Sequence, residues 1–226
     1  MAKYVISDLH GEYEMFMAML DKINFSDKDE LYILGDILDR GKRPLDIVDY
    51  IVCKSNITWI KGNHDNMFCE YVDDNNSMLW FMNGGYTTYE QLMLSRNEGY
   101  ITSLYNCIKK LPTYKIVDNY VLVHAGALSP IYENETIEEH MKSLSEEFLL
   151  WDRSHIGTKF NSSKYTLICG HTVTRLLSNG DNIVFDKDKN KIFIDCGVIF
   201  KDGQLGCLRL DDLKEFYVTK EDVKND

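Results

Sequence analysis

Proline and paired cysteines are scarce in this sequence, and each shortage excludes a class of structure. Three of the 226 residues are proline, and the six cysteines are scattered without a C-x-x-C pair or a short-spaced framework. Such spacing is typical of reduced thiols rather than of a disulfide scaffold. No internal repeat and no Pro-, Gly- or Ser-rich linker divides the chain, so we expect a single domain over residues 1–226.

Long apolar runs are also missing. No run approaches the length of a membrane-spanning helix, and the N-terminal segment reaches Asp8 after only a few apolar residues, too few for the core of a signal peptide. Together with the reduced thiols, these absences predict a cytoplasmic protein that has no membrane partner.

Positive charge is in deficit. The chain has 25 basic against 36 acidic residues, a formal net charge of −11, and no basic patch of any length. An acidic surface repels polyphosphate backbones, so we expect no nucleic-acid partner. Hydrophobic residues make up 44% and charged residues 27%, which is ordinary globular usage and excludes disorder and coiled coil.

The first part of the chain alternates strands and helices. Helical spacing of apolar residues runs from Met15 to Ile23, and Pro44 suits the first turn of a second helix. Buried strands are predicted before, between and after these helices, at residues 4–6, 31–34 and 57–60. This β-α-β-α-β order is the pattern of a parallel sheet with crossover helices.

The rest of the chain changes from helices to strands. Helical spacing covers residues 66–110 with a break at Asn83-Gly84-Gly85, and residues 136–150 form a later helix. Further strands are predicted at residues 113–117, 120–123, 165–168, 192–194 and 205–210. The whole pattern predicts a mixed α/β domain with two packed sheets.

Five polar clusters follow predicted strands or their closing glycines. They are Asp8-x-His10-Gly11, Gly35-Asp36-x-x-Asp39-Arg40-Gly41, Gly62-Asn63-His64-Asp65, His124-Ala125-Gly126 and Gly170-His171. In open parallel sheets, ligands bind outside the carboxyl ends of the strands, so we expect these clusters to meet in one crevice. Singly, each residue has an ordinary explanation, such as helix capping for Asp8 or a turn conformation for Asn63. Their joint occurrence favours a functional site.

Carboxylate, imidazole and amide ligands together suit Mn, Fe or Zn better than Mg or Ca. Two such ions about 3.5–4 Å apart, sharing one aspartate, have the geometry of two-metal hydrolysis. Arg40 adds a planar, permanently charged group that can bind phosphate oxygens. The sequence therefore predicts a phosphoesterase that depends on two divalent metal ions.

In order and spacing, the five clusters resemble the signature of the PPP family of serine/threonine phosphoprotein phosphatases, in particular its small bacteriophage-lambda-type and bacterial branch. The resemblance extends from Tyr4 to Gly197 and implies the calcineurin-like metallophosphoesterase architecture. It implies one metal at Asp8, His10 and Asp36, and a second at Asp36, Asn63, His124 and His171. It also implies that His64, oriented by Asp39, protonates the leaving group, and that the phosphate is bound by Arg40, Arg153, Asn63 and His64.

The resemblance implies hydrolysis of phosphoserine and phosphothreonine esters, with phosphotyrosine as a further candidate, by direct attack of a water that bridges the metals. The partner would be a phosphorylated protein or a small phosphoester. Manganese is the metal expected in vitro, with iron or zinc as alternatives. No covalent phosphoenzyme is needed.

Two other functions stay open. Asp65 replaces the glutamate usual in the family, as in the related symmetrical dinucleoside tetraphosphate hydrolases, although those hydrolases tend to lack the pair that is intact here at Asp39-Arg40. A catalytically silent module that binds a phosphorylated partner is the third possibility.

Several flanking residues carry weaker expectations. Arg153 could instead form a surface ion pair with Asp152 or Glu147, and His155, which has no motif support, is expected on the surface. The segment 80–82 is expected in the core or the cleft wall. We expect Asp39 to raise the pKa of His64 and to fix its tautomer.

Overall fold

The computed structural model describes residues 1–74, 77–128 and 135–223. Within these ranges the strands are β1 (Lys3–Ile6), β2 (Glu30–Ile33), β3 (Ile57–Trp59), β4 (Tyr114–Val117), β5 (Tyr120–Val123), β6 (Thr166–Cys169), β7 (Val184–Asp186), β8 (Lys191–Phe193), β9 (Gln204–Arg209) and β10 (Lys214–Thr219). The α-helices are α1 (Tyr13–Lys22), α2 (Pro44–Ile51), α3 (Asn63–Asp74), α4 (Met78–Met82), α5 (Tyr86–Ser95), α6 (Glu98–Ile108), α7 (Ile137–Ser143) and α8 (Glu146–Trp151). No helix of these ranges is both long and apolar enough to cross a membrane.

The strands form two five-stranded sheets. The first has the order β10-β9-β1-β2-β3, and its β1, β2 and β3 are parallel, which confirms the predicted β-α-β-α-β unit. The second has the order β4-β5-β6-β8-β7, in which β5, β6 and β8 are parallel and β4 and β5 form the predicted hairpin. Parallel strands end on the same side, so each sheet presents several strand ends at one edge.

The two sheets pack face to face through alternate residues of their strands. Val5 and Tyr32 of the first sheet lie in one apolar cluster with Leu122 and Ile168 of the second. Their neighbours point to the opposite faces, as the two-residue period of a strand requires. This inter-sheet layer is the centre of the molecule and confirms the predicted pair of packed sheets.

Helices cover both outer faces. Tyr4 and Ile6 share a cluster with residues of α1, α2 and the helices α3 to α6, whereas Val121 and Leu167 pack with residues of α7 and α8. The result is a four-layer arrangement in which each sheet is buried on both sides. The strands therefore cannot shift register without moving apolar side chains into the wrong layer.

The sequence pattern missed several features. The helical stretch predicted over residues 66–110, with one break at residues 83–85, is broken again between α5 and α6. The predicted helix over residues 136–150 is two helices, because Thr136 and Ser145 each cap a separate helix start by accepting a backbone hydrogen bond. Strand β7 is only three residues long, and β10 is an edge strand whose residues are mostly exposed or half-buried. Neither strand buries enough side chains to produce a clear alternation.

Candidate metal centre

The polar clusters that follow the strands meet in one cavity of about 250 Å³. It lies at the ends of strands from both sheets. Eight of the ten predicted site residues line it: Asp8, His10, Asp36, Arg40, Asn63, His64, Arg153 and His171. The other two lie directly behind the lining, since Asp39 contacts His64 and His124 contacts Asn63.

The backbone at this cavity is strained. Ten non-glycine residues of the described ranges have a positive φ, and six of them are predicted site residues: Asp8, His10, Asp36, Asp39, Arg40 and His171. Each such conformation costs about 1–3 kcal/mol and persists only where the surrounding structure enforces it. Strain concentrated on these residues therefore supports a functional site.

Asp36 lies at the centre of the site, and two neighbouring glycines leave space for its side chain. A Cβ on Gly62 would lie 2.2 Å from Asp36 Oδ1, and a Cβ on Gly35 would lie 2.5 Å from the Gly62 Cα. Only hydrogen at these positions lets the second and third clusters approach each other so closely. The Asp36 carboxylate also accepts a hydrogen bond from the His64 backbone N–H at 2.9 Å, which fixes its orientation.

Two histidines present Nε2 to Asp36. His10 Nδ1 lies 3.0 Å from the Leu38 carbonyl and His124 Nδ1 lies 2.6 Å from the Leu34 carbonyl. A carbonyl only accepts, so both Nδ1 atoms carry a proton, and Nε2 is the ring nitrogen that a metal could bind. This backbone partner is the usual orienting contact of a metal-binding histidine. The two Nε2 atoms lie 3.6 and 3.5 Å from the Asp36 oxygens.

Asn63 and His171 each present an atom that a cation could bind. The Asn63 Oδ1 lies 2.8 Å from His124 Nε2, so one ion could be reached by both atoms. His171 Nε2 is buried and has no hydrogen-bond partner among the described residues. A divalent ion would satisfy both.

Asp8 and His171 are joined through the backbone. The His171 N–H donates to both oxygens of the Asp8 carboxylate, at 3.2 and 3.0 Å, and the Ser7 hydroxyl is a further hydrogen-bond partner of Asp8. This contact links the end of β1 to the end of β6, and hence the first sheet to the second. It places the first and last predicted ligands in one site.

Electrostatics of the site favour bound cations. Burial raises the pKa of both Asp8 and Asp36 well above the usual value, and nearby carboxylates raise it further. Burial also lowers the pKa of His10 well below its usual value and that of His171 to about 2, so both rings are neutral. Buried carboxylates beside neutral imidazoles are a donor set that a divalent metal stabilises.

The geometry offers two overlapping groups of ligand atoms, each within 4.8 Å: His10, Asp36 and His64, and Asp36, His124 and His171. Asp36 belongs to both, as expected of a bridging ligand. The second group contains three of the four residues predicted for the second metal, Asn63 being the fourth. The first contains His64 in place of Asp8.

His64 and Asp39 form the expected pair, with His64 Nδ1 2.7 Å from Asp39 Oδ2. Asp39 is itself held by the Trp80 Nε1–H, 2.9 Å from both carboxylate oxygens, and by the Thr88 hydroxyl at 2.7 Å. Trp80 thus lies in the core, as expected, and also supports the site, whereas Met82 of the same segment is exposed.

The expected direction of the His64 pKa was wrong. His64 is 1% exposed, and this burial, followed by the positive charge of Arg40, lowers its pKa well below the usual value. The pKa of Asp39 is raised to about 7, mainly by burial. Desolvation therefore outweighs the attraction between the two groups.

Both predicted phosphate-binding arginines reach the cavity. Arg40 donates to His10 Nε2 at 3.0 Å and to His64 Nε2 at 2.9 Å. Arg153 donates to the His171 carbonyl at 3.4 Å and, within the described ranges, forms no ion pair with Asp152 or Glu147. A metal at His10 would replace the hydrogen bond from Arg40 and leave its guanidinium free for a phosphoryl oxygen.

The sequence profile of the calcineurin-like phosphoesterases matches residues 1–203. This chain belongs to the calcineurin-like phosphoesterase family. Enzymes of this family use a binuclear centre of divalent metals, and the donor set described above fits such a centre.

Relatives of this phosphoesterase include both protein phosphatases and symmetrical tetraphosphatases. Serine/threonine-protein phosphatase 2 of Salmonella typhimurium is 26% identical over 92% of this chain and 92% of its own. A symmetrical bis(5'-nucleosyl)-tetraphosphatase of Buchnera aphidicola is 24% identical over 93% of this chain and 65% of its own. A solved structure of a putative diadenosine tetraphosphatase has the same fold, with a TM-score of 0.67, 16% identity, and coverage of 96% and 92% of the two chains.

One buried carboxylate of the phosphoesterase was missed. Asp195 lines the cavity, and burial raises its pKa. It accepts a hydrogen bond from the Gly197 N–H at 2.9 Å. The sequence did contain a signal, because Asp195-Cys196-Gly197 follows a predicted strand just as the five recognised clusters do.

Asp65, the departure from the family pattern, is a structural residue. Its carboxylate accepts from the backbone N–H groups of Asp36 at 3.1 Å and Gly62 at 2.9 Å, and from the Trp59 indole N–H at 3.0 Å. It therefore ties the second cluster to the third without entering the cavity.

The turn after Arg153 also differs from expectation. His155, expected on the surface, is fully buried and stacks on Phe193, with burial lowering its pKa to about 4. The buried Lys191 ammonium donates to the carbonyls of His155 and Thr158. These contacts fix the 3₁₀ turn Ser154–Gly157 directly after Arg153. A buried lysine whose partners are loop carbonyls leaves no sequence signature.

Proposed function

We propose that this protein is a metal-dependent phosphomonoesterase that hydrolyses phosphoserine and phosphothreonine esters. The observation that carries the proposal is the intact pair of His64 and Asp39 at a cavity that also contains Arg40 and the buried Asp36. When bound, two divalent ions supply a nucleophilic water at neutral pH and neutralise charge on the phosphoryl oxygens. Manganese is the metal proposed for use in vitro.

Arg40 and Arg153 bind the phosphoryl group in this proposal. Phosphoryl transfer spreads negative charge over the equatorial oxygens, and positively charged groups at the edge of the cavity stabilise that charge. Both guanidinium groups border the same cavity as Asp36 and His64. Neither is neutralised by a carboxylate at ion-pair distance among the described residues.

His64 supplies the proton that a serine or threonine alkoxide needs on leaving. In the free protein its ring is neutral because of burial and Arg40. A phosphoryl dianion brings two negative charges beside the ring and draws Arg40 towards itself, and both changes raise the pKa of His64. Asp39 holds Nδ1, so Nε2 is the atom that delivers the proton.

A second candidate function is symmetrical hydrolysis of a dinucleoside tetraphosphate. Asp65 and the likeness to the Buchnera tetraphosphatase favour it. The intact Asp39-Arg40 pair favours the monoesterase instead.

The deciding experiment compares the two substrates on one preparation. Metal is removed with a chelator, Mn²⁺ is restored, and phosphate release from a phosphoserine peptide is measured beside cleavage of diadenosine tetraphosphate. We expect Mn²⁺-dependent release from the peptide, and loss of that release in Asp36→Asn, because Asp36 is the one carboxylate shared by both ligand groups.

Each other outcome has a clear meaning. Faster cleavage of the dinucleotide to two nucleoside diphosphates would replace the proposed function with the second one. Metal-dependent binding of the phosphopeptide without release of phosphate would identify a binding module.

A further inference from the structure

Arg153, one of the two arginines at the cavity, has few contacts of its own. Within the described ranges the one hydrogen bond of its guanidinium goes to the His171 carbonyl and is long, at 3.4 Å. Arg40, by contrast, donates to ring nitrogens of His10 and His64 at 3.0 and 2.9 Å. Arg153 is also exposed. The backbone of the turn that carries Arg153 must therefore determine where its guanidinium lies.

Asp152 gives that turn its shape. Its Oδ1 accepts hydrogen bonds from the Ser154 N–H at 3.1 Å and from the Ser154 hydroxyl at 2.7 Å, and its Oδ2 accepts one from the His155 N–H at 3.0 Å. All of these contacts join residues that are two or three apart in the sequence. They determine how the turn folds, but not where it lies relative to the sheets.

Lys191 attaches the turn to the second sheet. Its buried ammonium donates to the Thr158 carbonyl at 2.7 Å and also to the His155 carbonyl. Lys191 is the first residue of β8, and Phe193 lies two residues further on the same face of the strand. The Phe193 ring stacks on the His155 ring, with centroids 6.1 Å apart. Two side chains from one face of β8 thus hold the turn.

The same strands lead to a candidate metal ligand. Strand β8 pairs in parallel with β6, and Lys191 lies opposite Leu167 in the register. Strand β6 ends at Cys169, two residues before His171. The position of Arg153 is therefore set from the strand pair that also carries His171, and Lys191 is the contact that joins them.

A buried ammonium is an expensive way to make such a contact. Lys191 is 1% exposed, and no carboxylate of the described residues lies within ion-pair distance of its nitrogen. Asp186, its neighbour on β7, pairs instead with Lys189 at 2.9 Å. An unpaired charge is strongly unfavourable out of water, and an apolar side chain of similar volume would avoid that cost. The charge therefore favours a role that an apolar residue cannot perform, which is to bind two backbone carbonyls.

We propose that Lys191 is a positioning residue for the phosphoryl group, which acts by holding the turn that places the Arg153 guanidinium at the cavity. The inference rests on the proposed function, in which Arg153 binds the phosphoryl group, and deepens it. It requires that Lys191 act through Arg153. The effect of replacing Lys191 should therefore disappear when Arg153 is absent.

A double-mutant cycle tests this requirement. Steady-state kinetics on a phosphoserine peptide with Mn²⁺ would compare the wild type, Arg153→Ala, Lys191→Met and the double variant. We expect Arg153→Ala to lower kcat/KM by about 10- to 100-fold, the usual value of hydrogen bonds to a charged group. Lys191→Met should cost about tenfold, because the guanidinium is displaced rather than lost. In the Arg153→Ala background, Lys191→Met should cost less than about twofold.

Binding measurements separate positioning from general damage. Titration calorimetry should show that Lys191→Met binds Mn²⁺ within about twofold of the wild type, because the ammonium contacts the turn and not a candidate ligand side chain. The affinity of the Mn²⁺-loaded variant for inorganic phosphate should fall about tenfold, in parallel with the activity. A purely structural role would weaken both.

Two further variants complete the design. Lys191→Gln keeps N–H donors at the same position and should lose less activity than Lys191→Met; if Lys191→Met does not fold, the cycle is run with Lys191→Gln. Lys189→Met is the matched control, since its ammonium pairs with Asp186 and makes no hydrogen bond to the turn among the described residues. It should change kcat/KM by less than about twofold.

The outcomes distinguish this inference from the proposed function. An equal loss with and without Arg153, or no loss on replacing Lys191, would overturn the positioning role and leave the phosphoesterase intact. Full activity of Arg153→Ala would remove Arg153 as a phosphate ligand, and the positioning role with it. A wild type that released no phosphate from the peptide would refute the proposed function itself.

Discussion

His64 experiences opposing electrostatic influences within a few ångströms. Its ring lies 2.7 Å from a carboxylate oxygen of Asp39 and 2.9 Å from a guanidinium nitrogen of Arg40, in surroundings that exclude water. Burial and then the Arg40 guanidinium are the largest influences on its pKa, and both lower it. A group whose protonation depends so strongly on the position of one arginine is suited to gain a proton only when substrate is bound.

Replacing His64 by asparagine should affect substrates according to their leaving group. We expect turnover of a phosphoserine peptide to fall by about 10²–10⁴-fold, the usual contribution of a general acid, because the departing alkoxide is a strong base. An activated aryl phosphate, whose leaving group needs no proton, should lose roughly tenfold or less. Trp80→Phe, which removes the indole N–H from Asp39, should produce a smaller loss in the same direction, roughly tenfold on the peptide.

Steady-state kinetics of both substrates with each variant would test this. Equal losses on the two substrates would remove His64 as the acid. Unchanged kinetics of the Trp80→Phe variant would show that the indole ring only packs against Asp39.

Single residues also show how far the sequence could predict the site. The candidate ligand residues follow strand ends, so their place at one cavity could be predicted from the pattern, and so could that of Asp195, which was overlooked. His155 and Lys191 could not, because their burial depends on where a distant turn lies relative to β8. The pKa of His64 was also beyond prediction, because it depends on burial, which only the fold determines.

At the scale of elements, the site depends on how closely the ends of strands from the two sheets approach each other. The end of β6 meets the end of β1 at Gly170, where a Cβ would lie 1.8 Å from Ser7 Oγ and 2.2 Å from Asp8 Oδ2. The adjacent His171 N–H binds the Asp8 carboxylate. The two sheets therefore meet at a position where only glycine fits.

Gly170→Ala should damage the site and the fold together. We expect a loss of about 1–3 kcal/mol in the free energy of unfolding, as for other overpacked cores, or roughly 2–12 °C in Tm. Mn²⁺ affinity should also fall, because Asp8 must move. Gly157→Ala and Gly180→Ala are matched controls, since a Cβ at either position meets nothing within 4 Å.

Thermal unfolding and Mn²⁺ titration of the three variants would check the prediction. A Gly170→Ala protein as stable as the two controls, with unaltered Mn²⁺ affinity, would show that the strand ends can separate without cost.

Elements differ in how well their sequence reveals them. Strands β1, β2 and β3 are short apolar runs bounded by polar turns, and their positions were predicted to within a residue or so. Strand β10 is not such a run and was missed, because an edge strand needs one paired neighbour and few buried side chains. The break between α7 and α8 depends on a single capping serine, Ser145.

At the scale of the whole molecule, several carboxyl groups are buried where their charged form is unstable. The chain carries a net charge of −11, and Asp8, Asp36, Asp65 and Asp195 are all buried near one cavity. Burial raises the pKa of each of these carboxyls. Without cations the folded protein therefore holds protons that the unfolded chain would release, and its stability must depend on pH and on metal.

The direction of that dependence follows from the folded and unfolded pKa values. A carboxyl with a raised folded pKa stabilises the fold below its unfolded pKa of about 4 and loses this contribution as pH rises through the folded value, which for Asp39 is about 7. His10, His64, His155 and His171 have lowered pKa values, so they destabilise the fold only below their unfolded pKa of about 6.5. Above about pH 6.5 only the carboxyls still make the stability depend on pH. The free energy of unfolding of the metal-free protein should therefore fall as pH rises.

Manganese should reverse this trend. Metal competes with protons for carboxylates and imidazoles, so we expect Mn²⁺ to raise the Tm of the chelator-stripped protein more at about pH 7.5 than at about pH 6. At a free Mn²⁺ concentration of about 100 times Kd, one site adds about 2.7 kcal/mol, or roughly 5–11 °C. Scanning fluorimetry at the two pH values would measure it, with Asp36→Asn as the control that loses the shift. An equal shift at both pH values, or one that persists in Asp36→Asn, would mean that Mn²⁺ binds elsewhere on this acidic surface.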